Sequence, residues 1–288
     1  MVTMRQRALA LVLVILATTV ALPSAGRADE PLKAGDVLDK DTASRAEGLL
    51  PPEILRHYQD GKYANRIVDW PAGTYHWDAE FTEATAGNRG KLDVDERGTI
   101  IEKATGQQPA YVYGHPFPEI DPKDPKAGVK ILWNSYYNLW NNGNSRNDVR
   151  LIWVAPDGIE REAGQDVYFM FYDGQPSSYR TANPKNLLMQ FIATSTYPTD
   201  LQGTTALSWR YRDADKRDSN WAYVPGLRRV RAVSPNNRSD GSLGSDLSQD
   251  DGAFFDGKPE DFEWKLVGEA EQYRYVDPGS LEGKEKYR

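Results

Sequence analysis

Three stretches decide how this chain reads: Val149-Arg150-Leu151-Ile152-Trp153-Val154, Asp166-Val167-Tyr168-Phe169-Met170-Phe171-Tyr172 and Leu187-Leu188-Met189-Gln190-Phe191-Ile192. Each is short, rich in branched and aromatic side chains, and separated from the next by turn chemistry, which is the composition of a strand. Further on, Leu207, Trp209 and Tyr211 alternate with Ser208, Arg210 and Arg212. That period of two suits a strand with one face toward a core. Trp221, Tyr223 and Val224 run into Pro225-Gly226, a pair suited to the central positions of a type II turn, and residues 227–233 lead back out. Trp264-Lys265-Leu266-Val267-Gly268 is a last strand candidate.

Upstream of the strands the pattern changes. Val129, Leu132, Trp133, Tyr136 and Trp140 recur at three- and four-residue steps, which places them on one face of a helix that Asn141-Asn142-Gly143-Asn144 ends. Residues 114–128, with Pro116, Pro118, Pro122 and Pro125, predict an irregular loop, because proline cannot donate to a ladder. Lys91-Leu92-Asp93-Val94 and Thr99-Ile100-Ile101 predict a hairpin around Asp95-Glu96-Arg97-Gly98. A first helix begins at Pro52, shows an apolar stripe of Ile54, Leu55 and Tyr58, and stops at Gly61; Pro71 and Gly73 then signal a turn. Residues 234–261, rich in Ser, Asp and Gly, predict a long surface loop. Helices first and antiparallel strands after them make the α+β class.

Residues 1–28 carry an address rather than fold information. Arg5 and Arg7 precede the uncharged run Ala8–Leu22, Pro23 breaks it, and Gly26-Arg27-Ala28 offers small residues for cleavage. This is the pattern of a secretory signal peptide cleaved near Ala28, and the run is short for a membrane span. Residues 29–288 are then expected to form a single exported domain, periplasmic in location. The 288-residue chain contains no cysteine, which excludes disulfide scaffolds, thiolate metal sites and thiol catalysis. Its net charge of -7 argues against a protein built to neutralise nucleic-acid phosphates.

Catalytic and cofactor signatures do not emerge. There is no GxSxG elbow, no GxGxxG after a strand and no phosphate-cradling GxxxxGK[ST] loop. His57, His76 and His115 are isolated from one another in sequence. Asp93–Gly98 opens like a calcium loop, yet Arg97 stands where an acid belongs and the twelfth position lacks Glu. Asp246, Asp250, Asp251 and Asp256 would hold a cation only if their loop folded back; a solvated acidic loop is expected. No enzyme activity, cofactor or metal is therefore expected.

Two features carry functional weight. The chain holds 8 Trp, 16 Tyr and 8 Phe, more aromatic surface than a small α+β shell readily buries. The candidate lining of an apolar ligand site is Trp133, Tyr136, Trp140, Phe169, Phe171, Trp209 and Trp221, with core packing as the competing role for each. Arg228, Arg229 and Arg231 form a local positive patch in an acidic protein, suited to an anionic head group or an acidic partner.

The segment Asn220–Arg231 resembles the W-x-Y-x-P-x-x-R-R-x-R hairpin of exported bacterial proteins related to the LolA/LolB lipoprotein carriers. Phe81–Gly90 with Lys91-Leu92, Tyr113–Asp121, Asp124–Gly128, Trp133-Asn134 and Trp264–Gly268 extend the resemblance, which is to a family of unknown function described as outer-membrane lipoprotein-sorting proteins. The resemblance implies a curved antiparallel sheet, a half-open barrel, whose concave face helices cover and which holds acyl chains or another hydrophobic molecule. It implies no catalytic residues. It also implies efflux-type inner-membrane transporters or outer-membrane channels as partners, peripheral membrane contact and association with the outer membrane. Family members are expected to run on past Arg288, leaving the domain incomplete at its C-terminus with an exposed sheet edge.

The resulting expectation is a periplasmic carrier or chaperone for a lipid, a lipoprotein acyl chain or another hydrophobic molecule. Two alternatives stand beside it: an exported polysaccharide-binding or glycoside-acting protein, and a non-catalytic envelope scaffold that binds protein partners.

Overall fold

The computed structural model describes residues 30–70, 76–140, 143–155, 157–236, 238–253 and 255–274. The signal segment, the turn at Pro71 and Gly73, and the Asn141-Asn142 stop lie outside them. The chain divides into two compact units, residues 30–70 with 271–274 and residues 76–270.

The smaller unit contains strands β1 (Val37–Leu38) and β2 (Asn65–Arg66), paired antiparallel, and helix α1 (Pro52–Gln59). Proline opens α1 as expected, since its missing N–H costs nothing in a first turn. Leu55 and Tyr58 face a core made with Leu32, Leu38, Ala43 and Ala46, while Ile54 stays exposed. Gly61, at φ +72, follows the helix in the left-handed region where glycine is least strained.

The larger unit opens with helix α2 (Ala79–Asn88). Its N-cap, Asp78, accepts the Phe81 N–H at 2.8 Å. Phe81 is fully buried, and Asn88 at the far end donates to the carbonyls of Tyr113 and His115. The loop thus tied down passes so close to α2 that a Cβ on Gly114 (φ +77) would sit 2.5 Å from the Thr85 nitrogen. Strands β3 (Leu92–Val94) and β4 (Ile100–Glu102) form the expected hairpin. Asp95 holds its turn by accepting the N–H groups of Arg97 and Thr99, which is a use for that carboxylate other than calcium.

Helix α3 (Ala127–Trp140) buries Val129, Trp133, Tyr136, Tyr137 and Trp140. They meet Leu92, Val94, Ile100, Val112, Phe117, Phe171 and Leu188 in the main core. The polar tips of Trp133, Tyr136 and Tyr137 in this aromatic face have acceptors. The Trp133 indole N–H donates to the Gly98 carbonyl at 2.7 Å, and the Tyr136 hydroxyl reaches the carbonyls of Phe255 and Gly257. Buried aromatics with paired tips are the arrangement that lets such side chains enter a core.

Lys130, its side chain largely buried, bridges Asp93 at 2.7 Å and Asp124 at 2.6 Å. Burial works against the Asp93 charge, but hydrogen bonds from Lys130 and the Val94 N–H prevail and hold its pKa below the usual carboxylate value. The Lys130 hydrogen bond does the same for Asp124. Both folded pKa values lie below the unfolded ones, so this stabilisation is complete above the unfolded pKa and is lost as pH falls through the folded values. The melting temperature is therefore expected to fall on acidification below about pH 4. Lys130→Met should flatten that limb; an unchanged acid profile in the variant would place the dependence elsewhere.

Six strands then run as one antiparallel meander: β5 (Ser145–Ala155), β6 (Gly158–Phe171), β7 (Leu187–Tyr197), β8 (Thr205–Tyr211), β9 (Ser219–Val224) and β10 (Arg229–Val233). Spatial order is sequence order, with β5 and β10 at the two ends. Strands β5 and β6 extend well past their apolar centres, because the polar segment 145–148 pairs with 166–169 and the polar segment 158–165 pairs with the apolar stretch 149–155. The protein is thus an α+β protein with a six-stranded antiparallel sheet plus helices.

Three expectations are corrected. Pro225-Gly226 does not form a type II turn; residues 225–227 make a single 3-10 turn, and Arg228 rather than glycine takes the left-handed conformation (φ 49). Residues 262–270 form no strand; Trp264 instead packs against Phe255 and donates to the Pro259 carbonyl. The stretch 234–261 is not all surface loop. It contains helix α4 (Gln249–Ala253), and its Lys258 and Pro259 are buried. Asp256 is drawn inward by Arg210, which also pairs with Asp218 at 2.8 Å. Burial, with Asp218 nearby, raises the Asp256 pKa. Asp250 pairs with Arg238 and Asp251 caps Ser248, so these carboxylates serve local structure. Among the described residues no three His, Asp or Glu side chains gather as a metal site would require.

Candidate functional site: an aromatic sheet face

Register decides which side chains share a face, because successive residues of a strand alternate. Across the sheet, Tyr168 of β6 lies opposite Ile192 of β7, Ile192 opposite Leu207 of β8, and Leu207 opposite Trp221 of β9. The next row on the same face runs from Met170 through Gln190 to Trp209. Tyr223, and Val230 of β10 beside it, complete the face.

These side chains are not core. Tyr168 is 44% exposed, Ile192 37% and Val230 65%, while Met170, Leu207, Trp209 and Trp221 are half-buried. Such a contiguous apolar surface is uncommon unless something binds it. It surrounds a hollow of about 670 Å³, whose lining includes Tyr168, Met170, Gln190, Ile192, Leu207 and Trp209, with Phe169 and Phe191 at intervening positions. That size falls within the ~300–1,000 Å³ of small-molecule sites.

The two tryptophans set the character of one end. Trp209 and Trp221 meet edge to face, with centroids 5.0 Å apart and planes at 73°. Lys185 places its ammonium 3.6 Å from the centre of the Trp209 ring, a cation–π contact that holds a positive charge over the aromatic floor. Gln190 donates to the Met170 sulfur at 3.3 Å, so this amide has a partner.

The seven residues expected to line a ligand site are placed in three environments. Trp133, Tyr136, Trp140 and Phe171 are buried together in the main core. Phe169 stacks on both Phe171 and Phe191 and borders the hollow, linking core to site. Trp209 and Trp221 stand on the open face. Sequence reasoning missed Tyr168, Met170, Ile192 and Leu207, which lie within the same apolar runs but on the other parity from Phe169 and Phe171. Arg228, Arg229 and Arg231 are exposed at the end of the sheet. Arg231 lies opposite Ala222 and Val230 opposite Tyr223, so Arg229 and Arg231 alternate away from the aromatic face. His115 engages Asn138 and packs edge-on to Trp77 and Phe81, a structural use.

Fold and site together define an α+β protein with an open antiparallel sheet and an aromatic, ligand-sized hollow on one face. No helix among the described residues is long and apolar enough to cross a membrane. The chain belongs to the family described as protein of unknown function (DUF1329), whose pattern matches residues 49–286. It is 28% identical over 159 residues to the uncharacterized protein PA3922 of Pseudomonas aeruginosa, a match that covers 52% of this chain and 33% of that protein. The chain therefore spans about a third of the length of that relative.

Among solved structures, one similar chain is a Vibrio parahaemolyticus domain provisionally assigned to outer-membrane lipoprotein sorting. It is 17% identical with a TM-score of 0.36, covering 49% of this chain and 52% of that one. Another is a DUF1329 family protein of Desulfovibrio piger, 19% identical with a TM-score of 0.37, covering 51% and 56%.

Proposed function

We propose that the protein carries or chaperones a lipid, a lipoprotein acyl chain or a similar hydrophobic molecule through the cell envelope, with the aromatic sheet face as its binding surface. The observation that carries this reading is the row Tyr168–Ile192–Leu207–Trp221 together with Met170 and Trp209, left open around a hollow. Burying apolar surface stabilises by about 25 cal/mol per Å², or ~0.8 kcal/mol per methylene, without demanding one shape. Flat rings and a flexible thioether suit a guest of variable conformation. In this reading the sheet is one wall of a half-open barrel.

Lys185 over Trp209 provides a charge for an acidic head group at the rim. Arg228, Arg229 and Arg231 are assigned to a second contact, with an anionic membrane surface or an acidic partner such as an efflux-type transporter or outer-membrane channel. Transfer needs no chemistry. The guest leaves one membrane for the hollow and moves on when a site of higher affinity is reached, so no catalytic group is assigned.

The test is a titration of the mature protein with a fluorescent fatty acid, with tryptophan emission followed in parallel. Saturable binding, displaced by unlabelled palmitate and accompanied by a change in tryptophan emission, is expected. Saturation by soluble glycans with no response to the fatty acid would overturn the reading in favour of a polysaccharide-binding protein.

A further inference from the structure

A second cleft, of about 590 Å³, opens beside the β3–β4 hairpin and shares no lining residue with the hollow on the sheet. Its apolar wall includes Leu92, Pro109 and Val112, all buried. Its rim is cationic. The Lys103 N–H donates to the Lys91 carbonyl at 2.9 Å, one step beyond the Leu92–Glu102 pair, so the two lysines stand opposite each other just past the ends of the hairpin strands. Like charges directly opposite one another destabilise a ladder. Neither lysine makes an ion pair among the described residues; Asp93, whose charge Lys103 feels, is held by Lys130.

Two further groups lie beside this cleft. Tyr111 lines the cleft, and its hydroxyl is buried without a hydrogen-bonding partner. Burial, with the Asp173 charge adding to it, pushes the Tyr111 pKa up, so the group remains a donor at physiological pH. Arg180, likewise without an ion pair among the described residues, lies 4.2 Å from the centre of the Tyr111 ring. The one acid in the lining, Glu102, accepts the Thr105 hydroxyl. A concentration of unpaired cations around a cleft is unexpected in a chain of net charge -7.

We propose that this cleft binds a small organic anion: a phosphate or carboxylate group carried on a compact apolar body. The anionic group between Lys91 and Lys103 relieves their repulsion, the body lies on Leu92, Pro109 and Val112, and an acceptor in the cleft satisfies the Tyr111 hydroxyl. This site is independent of the sheet face, so either assignment stands if the other fails.

Calorimetric titration of the mature full-length protein at low salt tests it, with hexyl phosphate as the probe. One-to-one binding is expected. Inorganic phosphate, which lacks the apolar body, should bind about tenfold more weakly. Hexyltrimethylammonium should give no response. The double variant Lys91→Gln/Lys103→Gln should lose at least about tenfold in affinity, because charge-assisted hydrogen bonds to the anion are gone. Tyr111→Phe separates binding from folding: it removes an unpaired hydroxyl, so the ligand-free melting temperature should hold or rise while hexyl phosphate binds several-fold more weakly. No binding of hexyl phosphate, undiminished binding by either variant, or a response confined to phosphatidylglycerol vesicles would each overturn the proposal; the last would reduce the lysines to a membrane-attracted surface.

Discussion

Asp173→Ala is expected to lower the free energy of unfolding by about 3–5 kcal/mol. This is a large fraction of the ~5–15 kcal/mol that holds a typical domain together. Asp173 is almost fully buried and is the hub of a polar knot inside the main core. One carboxylate oxygen accepts the Val112 N–H at 2.6 Å; the other accepts the Tyr137 hydroxyl at 3.0 Å and the Arg212 guanidinium. Arg212, also buried, donates as well to the Pro109 carbonyl.

Truncating Asp173 would strand a buried positive charge, a backbone donor and a tyrosine hydroxyl, and each costs free energy when left unpaired. In urea denaturation the midpoint should fall with the slope unchanged, the mark of lost stability without a changed unfolding transition. Asp173→Leu with Arg212→Met should recover much of the loss, since replacing both ions by apolar groups avoids the unpaired charge. A loss below about 1 kcal/mol in Asp173→Ala would mean that water reaches Arg212 and that the knot does not organise this end of the core.

That knot had no signature in the sequence. Asp173 and Arg212 are 39 residues apart, and nothing in a single chain reports which acid meets which base. What the sequence did report was the periodic part of the fold. The apolar runs of β6 and β7 and the stripe on α3 were legible because burial imposes a period of two or 3.6. The ends of β5 and β6 were not, because residues 145–148 and 158–165 are polar and carry no apolar signal, although each segment pairs with the apolar stretch of the neighbouring strand.

The inward fold of residues 255–259 was hidden for a different reason. Its acidic, serine-rich surroundings read as solvated, while the forces that bury it come from Arg210 and Tyr136, distant in sequence. The candidate site was half legible. Aromatic content was visible, but parity was not. Phe169 and Tyr168 are neighbours in one apolar run and so point to opposite faces, and only the stacking of Phe169 on core Phe171 and the exposure of Tyr168 show which face is which.

Ile192→Glu is expected to abolish binding of a fatty-acid probe, with affinity falling at least about 100-fold, while leaving stability within ~1 kcal/mol of the parent. Ile192 sits between Tyr168 and Leu207 in the middle of the exposed row. It is 37% exposed, so a carboxylate there stays hydrated in the free protein and costs the fold little. An incoming acyl chain would have to strip that water from a charge, and an apolar hollow offers nothing in return.

A core aromatic should behave in the opposite way. Trp140→Ala opens a cavity among Trp133, Tyr136, Tyr137 and Phe171, so it should cost about 3–5 kcal/mol of stability and reduce binding only through the fraction unfolded. Ile192→Lys separates burial from head-group attraction. If apolar burial in the hollow drives binding, lysine impairs it as glutamate does. If attraction to the fatty-acid carboxylate drives binding, lysine strengthens it, and Lys185 and its neighbours rather than the aromatic row become the site.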